Sequence, residues 1–237
     1  MNCTVWRLAF IASLAVLTFA VCFQISMARH WTPVTLTDGL HNPVLAMQMS
    51  HPPWPAGMLA PGQNMAEMTR QQYIDFGYIP SYTALFVCIA ILQWSSPRRW
   101  IAALGPICIV LILLAAALDV AENLAILAVT QQHSLAAWSS IRPRSVVKWS
   151  CAFLVILLES PFYLTVKDGL STFPRLLARA LGATSILAGL IGFLAVIAGK
   201  PTGIELATLP LLVSMLVMPP FLWLGSRAQR THPSRLQ

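Results

Sequence analysis

The stretch Leu111 to Val129, LILLAAALDVAENLAILAV, is apolar almost throughout and long enough to cross a bilayer, yet it carries Asp119, Glu122 and Asn123. Charged groups in such a segment are expensive and are kept where they pair, line a cavity or do chemistry. The spacing i, i+3, i+4 places all three on one face of a helix. Any fold this chain adopts must therefore bring partners to that face.

The rest of the chain has the same character. Of its 237 residues, 57% are hydrophobic and 10% charged, against about 25% charged in a typical soluble domain. Runs of roughly 20 apolar residues suit a bilayer of ordinary thickness. The expected fold is all-α, an integral membrane helical bundle of six transmembrane helices, with spans near 8–27, 76–94, 100–130, 146–166, 180–198 and 203–225. Residues 1–226 then form a single transmembrane domain, and 227–237 a basic, unstructured cytoplasmic tail. The first run is preceded by a lone Arg7 and followed by no clean small-x-small cleavage site, so it reads as an uncleaved span rather than a signal peptide. Pro210, Pro219 and Pro220 are expected to kink or break the sixth span. The small pairs Ser185/Gly189 and Ala188/Gly192 predict close packing of the fifth.

The net charge of +7 does not indicate nucleic acid. The bases fall in short connections between apolar runs, as topology signals do. With the N-terminus inside, nine of the fifteen Lys and Arg residues fall on the cytoplasmic side and six on the other. That bias predicts a bacterial inner-membrane protein with both termini in. The connection 29–74 is then extracytoplasmic. It is rich in Pro and Gly, and only 42–50 and 64–73 are expected to be helical within it. It also holds Met47, Met49 and His51 as an M-x-M-x-H string. Thioether and imidazole suit Cu(I), but these methionines equally suit packing of an amphipathic loop on the membrane surface. No cofactor is expected. The five cysteines form no CxxC pair, so no disulfide framework or zinc site is indicated.

This topology gathers polar residues into one half of the bilayer. Asp119 lies about 28 Å along its helix from Trp100, toward the outer surface. Asp75 opens the second span from that side, with Tyr78 and Tyr82 on the same helical face. Lys148 opens the fourth span and Glu205 the sixth. Helices joined by a short connection are usually neighbours, so Glu122 is the expected partner of Lys148. Glu159 is the exception, about 16 Å deeper than Lys148 and near mid-membrane. The candidate polar site is Asp75, Tyr78, Tyr82, Asp119, Glu122, Asn123 and Lys148, with Glu159 as a second intramembrane candidate. The plainer alternative is that these groups lock helices together or snorkel to the interface.

DFGYIPSYTALF (Asp75 to Phe86) and LDVAENLAIL (Leu118 to Leu127) resemble paired signatures of a family of small bacterial multi-spanning membrane proteins. In that family a D-[FY]-x-[FY]-I-P-x-Y opening precedes a D-x-x-E-N helix, and a lysine, here Lys148, starts the next span. NPVLAMQMS is also similar, with an acidic residue expected where Gln48 stands. The resemblance covers Asn42 to Val166. It implies a membrane bundle, not an activity, because the family has none established.

Three functions fit these residues. A binding or transport-like protein would hold a lipid headgroup, a small amphiphile or protons at Asp119, Glu122 and Lys148. A membrane-embedded lipid isomerase would use the carboxylates beside a tyrosine as acid and base. An accessory subunit would turn the polar face to a partner membrane protein. No GxSxG, HExxH, P-loop or GxGxxG string occurs, and no inverted repeat marks a transporter.

Overall fold

The apolar runs become helices longer than a bilayer alone requires. The structure, a computed structural model, describes residues 3–36, 39–49, 59, 62–132, 135–166 and 170–231. Its helices are α1 (Cys3–His30), α2 (Pro43–Met49), α3 (Gly62–Trp94), α4 (Arg99–Gln132), α5 (Leu135–Ser139), α6 (Ile141–Thr165), α7 (Thr172–Ile197) and α8 (Pro201–Thr231). There is no strand among the described residues. Six of the helices, all but α2 and α5, are long and apolar enough to cross a membrane.

These six form a closed ring. α1 packs on α3, α3 on α4, α4 on α6, α6 on α7, α7 on α8, and α8 returns to α1. Neighbours run antiparallel. The start of α1 meets the end of α8 where Cys3 Sγ donates to the Ser226 carbonyl. Its other end meets the start of α3 where the Thr32 N–H donates to Asn64 Oδ1 at 2.8 Å. Leu8, Ile11, Val110, Leu113, Leu209 and Leu216 are exposed on the ring's outer faces. Glu67, Asp119, Glu122, Lys148 and Glu159 are buried within. Apolar outside and ionisable inside is the arrangement a lipid solvent selects, and the chain has the architecture of a multi-pass membrane protein.

Two close approaches hold α7 in the ring. A Cβ on Gly192 would lie 2.3 Å from the Phe153 ring of α6, so the predicted small face of this helix meets α6. The turn into α8 is a Schellman cap. Gly199 takes φ 61°, its N–H donates to the Val196 carbonyl, and the Lys200 N–H donates to Ala195. Pro201 then opens α8 at a position that needs no N–H.

Four expectations are corrected. The helix expected over 64–73 is present but is not a separate piece: it runs from Gly62 as one helix, α3, with the second span, because Asn64, Glu67, Gln71 and Gln72 all find buried positions against neighbouring elements. α7 begins at Thr172, eight residues before the span expected over 180–198. α8 runs through Pro210, Pro219 and Pro220 without interruption, and the supposed tail is helical to Thr231. Met47 and Met49 do not lie on a surface. Each is 1% exposed in a core with Leu45, Ile126, Trp138 and Phe153, so both thioethers pack inside the bundle rather than against the membrane surface. His51 lies outside the described residues. No group of three or more His, Cys, Asp or Glu side chains disposed to hold a metal occurs among the described residues.

Candidate functional site

The end of the ring that carries the 31–61 connection is plugged by α2. The Asn42 side chain caps this short helix, Oδ1 accepting from the Val44 and Leu45 N–H groups at 2.9 and 3.1 Å. Glu205 holds the entry. Its carboxylate accepts from the backbone N–H of His41 and Asn42, the latter at 2.8 Å. Arg142 holds the exit, Nε donating to the Met49 carbonyl at 3.2 Å. Glu205 is thus spent on the plug and, though its depth along its helix matches the polar cluster, stands outside it. Its place in that helix's first turn points it at the connection rather than into the ring.

Lys148 lies two turns inside α6 and is 5% exposed. It does not snorkel. Nζ donates to Glu122 Oε1 at 2.6 Å and to Asp119 Oδ1 at 2.8 Å. The expected Glu122 partner is present and Asp119 is added to it. Glu122 accepts two further bonds, from Ser145 Oγ at 2.5 Å and from Gln48 Nε2 at 2.5 Å. Trp149 Nε1 donates to Gln48 Oε1 at 3.1 Å. Asp119 Oδ2 accepts from the Tyr82 hydroxyl at 2.8 Å. The ammonium is therefore matched by two carboxylates, and all four of their oxygens are bonded. A buried ion pair needs that completeness to offset its desolvation.

Asp75 and Asn123 form a separate pair beside this one. Asn123 Nδ2 donates to Asp75 Oδ2 at 2.7 Å. Asp75 is partly exposed and forms no ion pair among the described residues. Tyr78 enters through its ring, edge-on to Tyr82 at 5.4 Å and to Phe23 of α1 at 5.7 Å. Of the seven predicted residues, four close around Lys148 (Asp119, Glu122, Tyr82 and the lysine itself). The other three, Asp75, Asn123 and Tyr78, flank them.

Glu159 stands apart. It is 1% exposed, and neither carboxyl oxygen has a hydrogen-bond partner of good geometry. Its polar neighbours are the Tyr163 hydroxyl, one turn on, and Cys108 of α4. The Tyr163 hydroxyl points to Met218 Sδ at 3.9 Å, and Cys108 Sγ to Gln93 Oε1 at 3.9 Å. The two polar layers share an axis. Tyr82 and Gln93, Asp119 and Cys108, and Lys148 and Glu159 are each eleven residues apart on their helices. That is three turns to within about 20°. Ala90, Ile112, Ala115, Cys151 and Val155 fill the seam between the layers.

Sequence reasoning missed Gln48, Ser145 and Trp149. The resemblance had singled out position 48, but for an acid. An amide there supplies an N–H to Glu122, where an acid would set a second carboxylate against it. Ser145 falls one residue before the span expected over 146–166. Glu67 was also missed. It is buried and accepts from Ser26 Oγ at 2.6 Å, Gln71 Nε2 at 2.6 Å and Arg70 Nη1 at 2.8 Å. Extending the Asp75 face back by four and eight residues reaches Gln71 and Glu67.

No family model matches the chain, and neither a curated protein nor a solved structure is significantly similar to it.

Proposed function

We propose that this is a multi-pass protein of the bacterial inner membrane, both termini cytoplasmic, that binds the polar head of a lipid or small amphiphile at the outer-half cluster. The single observation that carries this reading is the division of labour within the cluster. Asp119, Glu122 and Lys148 saturate one another and brace α4 to α6. Asp75 is partly exposed and forms no ion pair among the described residues. A bilayer-depth carboxylate on a partly exposed residue, with no ion pair among the described residues, is disposed to meet a ligand's cation.

Lipids retained by the protein in mild detergent, identified by mass spectrometry, test the reading. Asp75→Asn is expected to lose a lipid that wild type retains, at an unchanged thermal midpoint. Equal lipid content in both proteins overturns it. Orientation is tested separately with a cysteine introduced at the exposed Thr35. An impermeant maleimide is expected to label it with the inner membrane intact. Labelling only after permeabilisation reverses the topology.

A further inference from the structure

Asn123 is fully buried, and its carboxamide is half used. Nδ2 donates to Asp75, while Oδ1 has no hydrogen-bond partner. Both atoms sit on one carbon, so the idle acceptor lies next to the Asp75 carboxylate. Turning the amide over would only exchange one unmet group for another and set oxygen against oxygen. Whatever completes this corner must bring a hydrogen to donate to Oδ1. It must also bring positive charge, because the three carboxylates Asp75, Asp119 and Glu122 are set against one cation, Lys148, among the described residues.

These two requirements select among headgroups. A phosphate or carboxylate brings the wrong sign. A quaternary ammonium brings charge without an N–H. An alkali ion satisfies the oxygens but draws less from aromatic surroundings. A primary ammonium brings three donors and a positive charge. Aromatic rings also favour a desolvated ammonium laid against them. Tyr78 and Tyr82 follow Asp75 on the same face of α3, edge to face with each other, and Phe23 of α1 closes on Tyr78.

We propose that Asp75 and Asn123, flanked by Tyr78, Tyr82 and Phe23, form a binding site for a primary ammonium group, supplied by an aminophospholipid headgroup or by a free amine. This rests on the headgroup reading above and names its chemistry.

The test compares ligands on the wild-type protein first, so it does not depend on a variant folding. In nanodiscs of mixed phosphatidylethanolamine and phosphatidylglycerol, native mass spectrometry is expected to find the ethanolamine lipid retained at least tenfold over the glycerol lipid. In detergent, ethanolamine hydrochloride is expected to raise the thermal midpoint where equal sodium chloride does not. A preference in nanodiscs alone assigns the ammonium to the lipid, and a shift in detergent alone to a soluble amine. Either supports the site. Asn123→Leu and Asp75→Asn are expected to abolish the preference. Equal retention of both lipids together with equal shifts from ethanolamine and sodium overturns the proposal, as does a preference unchanged in both variants. If Asp75→Asn instead releases a glycerol lipid, headgroup binding stands and the ammonium assignment falls.

Discussion

Lys148 and Glu159 sit on one face of one helix, eleven residues apart, and have opposite surroundings. The lysine is met by two carboxylates whose every oxygen is bonded. The glutamate meets a tyrosine and a cysteine, and neither of its oxygens has a hydrogen-bond partner of good geometry among the described residues. Equal burial therefore does not mean equal energetic consequence. A charge that organises its neighbours is part of the brace between helices. An acid that its neighbours do not address contributes little to holding the fold, and leaving it unpartnered costs the protein stability.

That contrast is most directly broken at Lys148. Lys148→Met leaves Asp119 and Glu122 buried without their cation, and removal of one partner from such a pair costs about 3–5 kcal/mol. Reversible unfolding in mild detergent should show a loss of that size or failure to accumulate folded protein. A loss under about 1 kcal/mol would mean that the pair does not brace α4 to α6. Glu122→Gln keeps the shape and leaves Asp119 with the lysine, so the expected loss is smaller, about 1.5–3 kcal/mol for hydrogen bonds to a charged group. Combined with Lys148→Met it should cost less than the sum of the two, because both remove the same interaction. Strict additivity would separate the residues and break the comparison from that side.

Two smaller effects sharpen it. Trp149→Phe removes one bond to Gln48 and should cost about 1 kcal/mol. The same variant should also loosen the α2 plug, read as faster amide exchange over 43–49. Unchanged exchange there would show that Gln48 is held by Glu122 alone. Glu159→Leu is expected to be neutral within about 0.5 kcal/mol, or stabilising, since no bond is lost. Destabilisation beyond about 1 kcal/mol would reveal a partner that Glu159 engages, and the two layers would cease to differ in kind.

Much of this site was legible from residue numbers alone. Asp119, Glu122 and Asn123 share a face because helical periodicity is local. Lys148 could be matched to Glu122 because a short connection makes neighbours of α4 and α6. The fate of Glu205 was not legible. Its depth agrees with the cluster, but it faces the 39–42 connection and binds backbone N–H groups there. Depth along a helix follows from counting, whereas the direction a side chain takes around the ring depends on how the helix is rotated in its packing. Gln48 was beyond reach for another reason. It arrives from a short helix whose position depends on contacts with α6 and α8, far from it in sequence.

The chain by itself determined six apolar spans, an antiparallel order, and one helix whose polar face had to be met. Length, hydropathy and a period of 3.6 are properties of consecutive residues, so they survive without coordinates. Only the tertiary structure decided how that face is shared. It assigned Asp119 and Glu122 to the lysine and left Asp75 and Asn123 half satisfied beside it. It also brought Gln48, Ser145 and Trp149 into the brace and left Glu159 without a hydrogen bond of good geometry among the described residues. Hydrogen bonds act over about 3 Å, and such distances between remote segments are set by helix rotation and loop docking, which no local pattern records.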